Sequence, residues 1–469
     1  MTEKKTELNT KEEFRDSVAT IDQSGRRVWL YPKKPKGKLY HYRSLLSYIY
    51  LVLFFGLPFI KIDGDPFFMF NVVERKFVLF GMIFWPQDFF VFGIGFLVFI
   101  VFIALFTVIY GRVFCGWACP QTVFMEMIFR RIEYLIEGDA NHIKSLDNQP
   151  WNRKKVLKRG TKFLAFYLIA FLISNTFLAY IIGIDEVIKI ISEPIALHKA
   201  GLFSIALFSL IFFFVYAWFR EQVCLIVCPY GRMQGVLLDK NSIVVAYDHV
   251  RGEPRHKFRK NEDSGKGDCV DCGLCVKVCP TGIDIRNGTQ LECVNCTACI
   301  DECNEIMRGV QRPEGLIRYA SESEIEEKRK SGFTFRMKAY TVVLILLMGL
   351  EAFLIIGRSD VDATILRARG LLYQEQPNNQ TSNLYSIKLI NKTRKDFPLQ
   401  LKVENYEGKI QLIGKDFLLK KEAMLTGEFF VFLNNKDINQ RKMKLEIGLY
   451  SGNKKIKSIK TNFLGPVSR

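Results

Sequence analysis

The chain has 469 residues, enough for two to four structural units, and its 66 lysines and arginines against 48 acidic residues give a formal charge of +18. That charge crowds into segments between long uncharged stretches, the signature of membrane orientation, and so argues against a nucleic-acid-binding role. No Walker-type phosphate loop, Rossmann glycine fingerprint or Ser-His-Asp arrangement stands out, which leaves nucleotide-driven and hydrolytic chemistry without support.

The N-terminal arm, residues 1–43, is polar and lysine-rich with no early apolar core, so no cleavable signal peptide is expected. Five stretches approach the ~20 apolar residues that cross a bilayer: Leu45–Ile60, Phe89–Tyr110, Phe163–Ile182, Leu202–Phe219 and Ala339–Ile356. Lysine and arginine are rich in the N-terminal arm, in 112–161 and in 221–337, and sparse in 61–88 and 183–200. By the positive-inside rule the first three face the cytoplasm and the C-terminal part lies on the far side. The resulting division is a transmembrane region of four spans at 44–262, an insert at 263–310, a linker at 311–337, a fifth span at 338–357 and an extracytoplasmic domain at 370–469.

Spans two and four end in related phrases, "RVFCGWACPQ" at 112–121 and "EQVCLIVCPYGR" at 221–232. Both run inward, so Cys115, Cys119, Cys224 and Cys228 share one membrane depth and become neighbours if these spans pack together. Pro120 and Pro229 suit the first position of a helix and push the preceding residue out of helical geometry. Cys119 and Cys228 would then sit at helix N-termini, where a lowered thiol pKa is expected; Arg112, Arg220 and Arg232 add positive charge. Four thiolates could hold Cu(I) or a further iron-sulfur centre, or carry out thiol-disulfide exchange. Met125 and Met127 are candidate thioether ligands, but fit better on the apolar face of an interfacial helix at 120–137.

Within the insert, "CVDCGLCVKVCP" places Cys269, Cys272, Cys275 and Cys279 in the spacing of bacterial ferredoxins, and "CVNCTACIDEC" repeats it with Cys293, Cys296, Cys299 and Cys303. In that pattern three close thiolates hold one 4Fe-4S cluster and the fourth cysteine of each run reaches the other. The expected sets are Cys269, Cys272, Cys275 and Cys303 for one cluster, and Cys293, Cys296, Cys299 and Cys279 for the second. Zinc sites use two pairs across a longer spacer, and a reducing cytoplasm disfavours disulfides. Asn304 follows Cys303 where the pattern usually has proline. The five histidines, His41, His142, His198, His249 and His256, all fall outside the expected spans, which argues against haem b between membrane helices.

Beyond the fifth span the chain alternates apolar and polar residues in short runs, among them "NLYSIKLINKT", "FPLQLKVEN" and "MKLEIGLYSG". Such runs predict an all-β, Ig-like sandwich of about seven strands.

The order of these features, together with "EGLIRYASE" at 314–322 and "NFLGP" near the end, resembles the CcoG/FixG (RdxA) family of cytochrome c oxidase accessory proteins. The resemblance implies a multi-domain protein of the bacterial inner membrane: an α-helical bundle, a two-cluster ferredoxin insert (α+β) and a terminal β domain. It further implies a cupric-reductase-like oxidoreductase acting in assembly of cbb3-type cytochrome oxidase, with copper handled at Cys115, Cys119, Cys224 and Cys228. The expected partners are the lipid bilayer, the oxidase assembly machinery, copper transporters or chaperones and an unidentified electron donor, with a homodimer left open. The competing reading is a quinol-oxidising respiratory subunit, which shares the C-x3-C-P and ferredoxin motifs; the exported β domain weighs against it.

Overall fold

Among the described residues, five helices are long and apolar enough to cross a membrane: Lys38–Phe59, Phe89–Tyr110, Arg153–Ile182, Lys199–Phe219 and Phe335–Ile356. The computed structural model describes residues 20–466 apart from 22, 23, 25, 73–75, 258–265, 329–331, 333, 369–371, 378, 415–417, 422 and 453. Several helices start earlier than the apolar stretches, because a helix propagates into a polar end once it is capped. The side chain of Asn152 accepts the Lys155 amide and starts the third span ten residues before Phe163. The same extension places His41 in the first turn of the first span, its Nδ1 2.8 Å from the Gly37 carbonyl, which corrects the expectation that no histidine lies in a span. Phe96, Phe99 and Phe102 on the second span are exposed, as suits a lipid-facing helix.

The chain divides into two units, one of residues 1–60 and 93–349, the other of residues 61–92 and 350–469. In the first unit, Phe129 stacks on Tyr216 at 4.4 Å between centroids and meets Phe166 edge-on at 5.0 Å, at the centre of the cluster that joins the third and fourth spans. The ferredoxin insert is closed by a two-stranded antiparallel sheet, Val244–Tyr247 with Ile317–Ala320. Its core gathers Val245, Ile283, Ile285, Ile300 and Leu316 around the cysteines. A helix runs Ala298–Gly309, straight past Cys303. Asn304 explains this: proline there would oppose continuation, whereas Asn304 stays helical and its Oδ1 accepts the Gly315 amide at 2.9 Å.

In the second unit, two sheets face each other. One runs in the order Gly408–Ile413, Met424–Asn434, Gln380–Asn391, Val361–Arg367, with Gln374–Gln376 also paired to Gln380–Asn391; the other holds Gln400–Val403, Lys442–Ser451 and Lys454–Leu464. Tyr385, Phe429 and Val431 from the first meet Leu445, Ile447 and Phe463 from the second, all fully buried. The Ig-like sandwich is therefore present. Residues 61–88 were expected as a loop between spans, but 61–84 form two short antiparallel sheets from the strands Lys61–Ile62, Asp65–Pro66, Met69–Asn71, Lys76–Leu79 and Met82–Phe84. Asp63 and Gly64, at φ 54° and 95°, supply the two-residue turn of the first hairpin. Buried Asp88 accepts Arg358 at 2.7 Å and Lys392 at 2.5 Å within this unit.

Candidate iron-sulfur and thiol sites

All twelve cysteines are free thiols, and those of the insert converge on two cavities. One is lined by Cys269, Cys272, Cys275 and Cys303. The other is lined by Cys275, Cys279, Cys293, Cys296 and Cys299. The first cavity gathers the residues of one expected set, including Cys303 from the second run; the other gathers the residues of the second set, including Cys279 from the first run, together with Cys275. Positive φ at Gly273 and at Thr297 lets each loop turn sharply between its cysteines and the helix that follows. Backbone amides of Asn295, Ala298 and Ile317 hydrogen-bond Cys293, Cys296 and Cys303. Burial pushes Cys293 and Cys303 up to about 12 and Cys296 up to about 11, so loading of metal would release their protons.

The two C-x3-C-P motifs form a third concentration of thiols. Cys115 and Cys224, and likewise Cys119 and Cys228, are 109 residues apart, and the ends of spans two and four, Tyr110 and Phe219, carry the same offset. Each span ends on a residue of positive φ, Gly111 at 58° and Arg220 at 51°, which turns the chain into its motif. Cys119 and Cys228 are extended, at φ −63° and −70°, with Pro120 and Pro229 opening the helices that follow. π-helical turns flank the motifs at Phe124–Phe129, Val215–Phe219 and Val223–Val227, a geometry frequent at functional sites.

The halves also reach into one another. Cys115 Sγ lies 3.1 Å from Gln234 Oε1, Gln121 Nε2 donates to the Arg220 carbonyl at 3.3 Å, and Tyr230 Oη lies 3.1 Å from Thr107 Oγ1. The thiol of Cys224 is within electrostatic reach of Cys119, Cys115 and Cys228. The four cysteines predicted to meet are thus brought together.

The expected lowering of the thiol pKa fails at Cys119. Burial raises it, outweighing the amides of Thr122 and Gln121 that hydrogen-bond the sulfur; burial likewise raises Cys115, and Cys224 up to about 12. A helix N-terminus cannot offset that desolvation. Of the three arginines, Arg112 serves Cys115 and donates through Nε to Gln234 at 2.7 Å. Arg220 instead makes a bidentate pair with Glu133, at 2.8 and 3.1 Å, and the side chain of Arg232 lies outside the described residues. Met125 is buried and shares a cavity with Cys224, whereas the Met127 sulfur turns to Arg131 at 3.3 Å.

Sequence reasoning missed how closely this thiol group abuts the insert. Gly116 is packed so tightly that a Cβ would fall 2.3 Å from the Val294 carbonyl oxygen and 3.1 Å from Cys296 Cα. Trp117 Nε1 donates to the Asn295 carbonyl at 3.3 Å, and Arg112 to the Leu291 carbonyl. Thr281 and Val294 line both the cavity at Cys224 and the second cluster cavity. The glycine between the two cysteines was the available signal. A larger cavity, about 810 Å³, lies beside Arg220 and Glu133, walled by Trp29, Phe163, Phe213 and Trp218.

Five membrane-length helices joined to a doubled cysteine cradle define a membrane iron-sulfur protein of electron transfer. Residues 219–322 match the model of a 4Fe-4S dicluster domain, residues 92–137 that of a 4Fe-4S binding domain, and residues 352–466 that of the Ig-like fold at the C-terminus of FixG. The protein RdxA of Cereibacter sphaeroides is 32% identical over 81% of this chain and 83% of its own, and RdxB of the same organism 32% over 78% and 80%. The nitrogen fixation protein FixG of Rhizobium meliloti is 36% identical over 64% of this chain and 58% of its own length. The chain belongs to the FixG/RdxA family.

Proposed function

We propose that this protein is an oxidoreductase that reduces Cu(II) to Cu(I) for delivery to a cbb3-type cytochrome c oxidase during its assembly, using electrons taken up by the ferredoxin insert. The resemblance to oxidase accessory proteins supplies the context, and the close approach of Gly116 to the Val294–Cys296 loop carries the reading. Cys269, Cys272, Cys275 and Cys303 would hold one cluster and Cys279, Cys293, Cys296 and Cys299 the other; bound there, the clusters supply one-electron carriers. Each Cu(II) takes one electron and leaves as Cu(I), a product that soft thiolates favour. On this reading Cys115, Cys119, Cys224 and Cys228 form the outlet.

Because the insert lies in a lysine- and arginine-rich connection, it is assigned to the cytoplasmic face of the inner membrane, with a cytoplasmic donor, and the β domain to the other face. Anaerobic protein reduced with dithionite and freed of excess reductant should convert Cu(II) to Cu(I), read with a Cu(I)-selective chelator. No chelator signal from fully reduced protein would refute the proposal. The aromatic cavity beside Arg220 and Glu133 favours a second reading, quinol oxidation, because it joins apolar walls to a buried carboxylate. Under that reading a soluble quinol would reduce the oxidised clusters, and reduced protein would leave Cu(II) untouched.

A further inference from the structure

We propose that Arg43, near the start of the first span, sets the reduction potential of the cluster assigned to Cys279, Cys293, Cys296 and Cys299, and holds it above that of the other cluster, so that electrons collect beside the span-end thiols. The inference rests on that ligand assignment and is independent of what finally accepts the electrons.

Arg43 is a buried cation without a counter-ion. It is 2% exposed, and its Nε donates to the Gly116 carbonyl at 2.7 Å. Its Nη2 is buried with no hydrogen-bond partner, and among the described residues no carboxylate pairs with it. Arg130, Lys162 and Arg220 are also buried, but each faces a glutamate. A buried guanidinium with no carboxylate calls for another source of negative charge. The cluster loop lies next to it, since a Cβ on Gly116 would fall 2.3 Å from the Val294 carbonyl oxygen and 3.1 Å from Cys296 Cα. Burial raises the Cys296 thiol, and the charge of Arg43 is the chief influence opposing it.

The insert itself fixes this position. Asp301 accepts the amides of Leu39 and Tyr40 at 3.2 and 2.8 Å, one turn before Arg43. The first span is thereby pinned to the helix that carries Cys299 and Cys303. Arg112 adds a second buried cation, which donates to Gln234 and acts on Cys293. Glu126 also acts on Cys296, but it is paired with Arg130 at 3.1 Å.

Cations near the other cluster are balanced. Arg286, which acts on Cys275, is held by Asp271 and Asp284 at 2.6 and 2.7 Å, and Arg251, which acts on Cys303, pairs with Asp268 at 2.5 Å. Each cluster gains one negative charge with the electron it takes up. An uncompensated cation therefore favours the reduced form, and one shared with carboxylates does so far less.

Potentiometric titration of full-length anaerobic protein, followed by electron paramagnetic resonance, tests this. In wild type the component that Cys299→Ser removes should have the higher midpoint. Arg43→Gln should keep about eight iron atoms per chain and weaken reduction of that component at least about tenfold in equilibrium constant, a midpoint lower by about 59 mV for one electron. The other component should stay in place, and Arg43→Lys, which keeps the charge, should stay near wild type. Unchanged midpoints in R43Q with both clusters present, a higher midpoint for the component lost in Cys303→Ser, or equal loss of a cluster from R43Q and R43K would overturn the inference. Failure of the ligand assignment would be distinguished by loss of the same component from Cys299→Ser and Cys303→Ser, and would remove the inference with it.

Discussion

Glu133 is where the buried charges of the helical unit meet. It accepts both Arg220 nitrogens, and Lys162, which is itself buried, bridges it to Glu137 at 3.3 and 3.0 Å. Burial alone would raise this carboxyl, but the charges of Arg220 and Lys162 hold it down at about 2. Because the folded value lies below the ordinary 4.5, the stabilisation is fully present above that pH and is lost as pH falls from there towards 2. Glu133→Gln leaves buried Arg220 facing a neutral partner, while Lys162 keeps Glu137, and should cost about 3 kcal/mol, measured as a fall in thermal midpoint in detergent near neutral pH. The difference from wild type should shrink as the pH drops below 4.5. This network was not legible beforehand: Glu133, Lys162 and Arg220 sit where charges ordinarily mark the solvated ends of spans, and only the folded helices bring them inside. The twelve cysteines were legible, because ligand chemistry fixes their spacing whatever the surroundings.

At the scale of elements, the Cys-Pro turns behave as local rules require, and Pro120 and Pro229 do open helices. The crosswise exchange proposed for the ferredoxin insert would be equally local in origin, since short loops after Cys272 and Cys296 gather three thiols of each run at one cavity while Cys279 and Cys303 line the other. Cys303→Ser should therefore remove the signal of the cluster assigned to Cys269, Cys272 and Cys275 while sparing the other. Cys299→Ser should do the reverse, and electron paramagnetic resonance of the reduced variants distinguishes the two. Loss of the same component from both would mean that the runs do not exchange ligands. What the pattern did not reveal was the strand character of 61–84. Runs of two to four residues are too short for alternation to register, although the Asp63–Gly64 pair is a hairpin signal in its own right.

For the molecule as a whole, orientation rests on the placement of lysine and arginine, a property of composition that needs no packing argument. A reporter active only outside the cytoplasm should work when fused after Ser359 and fail when fused after Glu327; the opposite result would reverse the assignment of the ferredoxin insert. The proposed route takes electrons out through the four thiols at the ends of spans two and four. Its most direct test is rapid mixing of fully reduced protein with Cu(II), following the return of the oxidised cluster absorbance in wild type and in C115S/C119S/C224S/C228S. Wild type should reoxidise with one Cu(I) formed per electron lost, and the variant, its ferredoxin clusters intact, at least about tenfold slower, a barrier higher by ~1.4 kcal/mol. Equal rates would contradict the account, because copper would then be drawing electrons from the ferredoxin insert without the thiols.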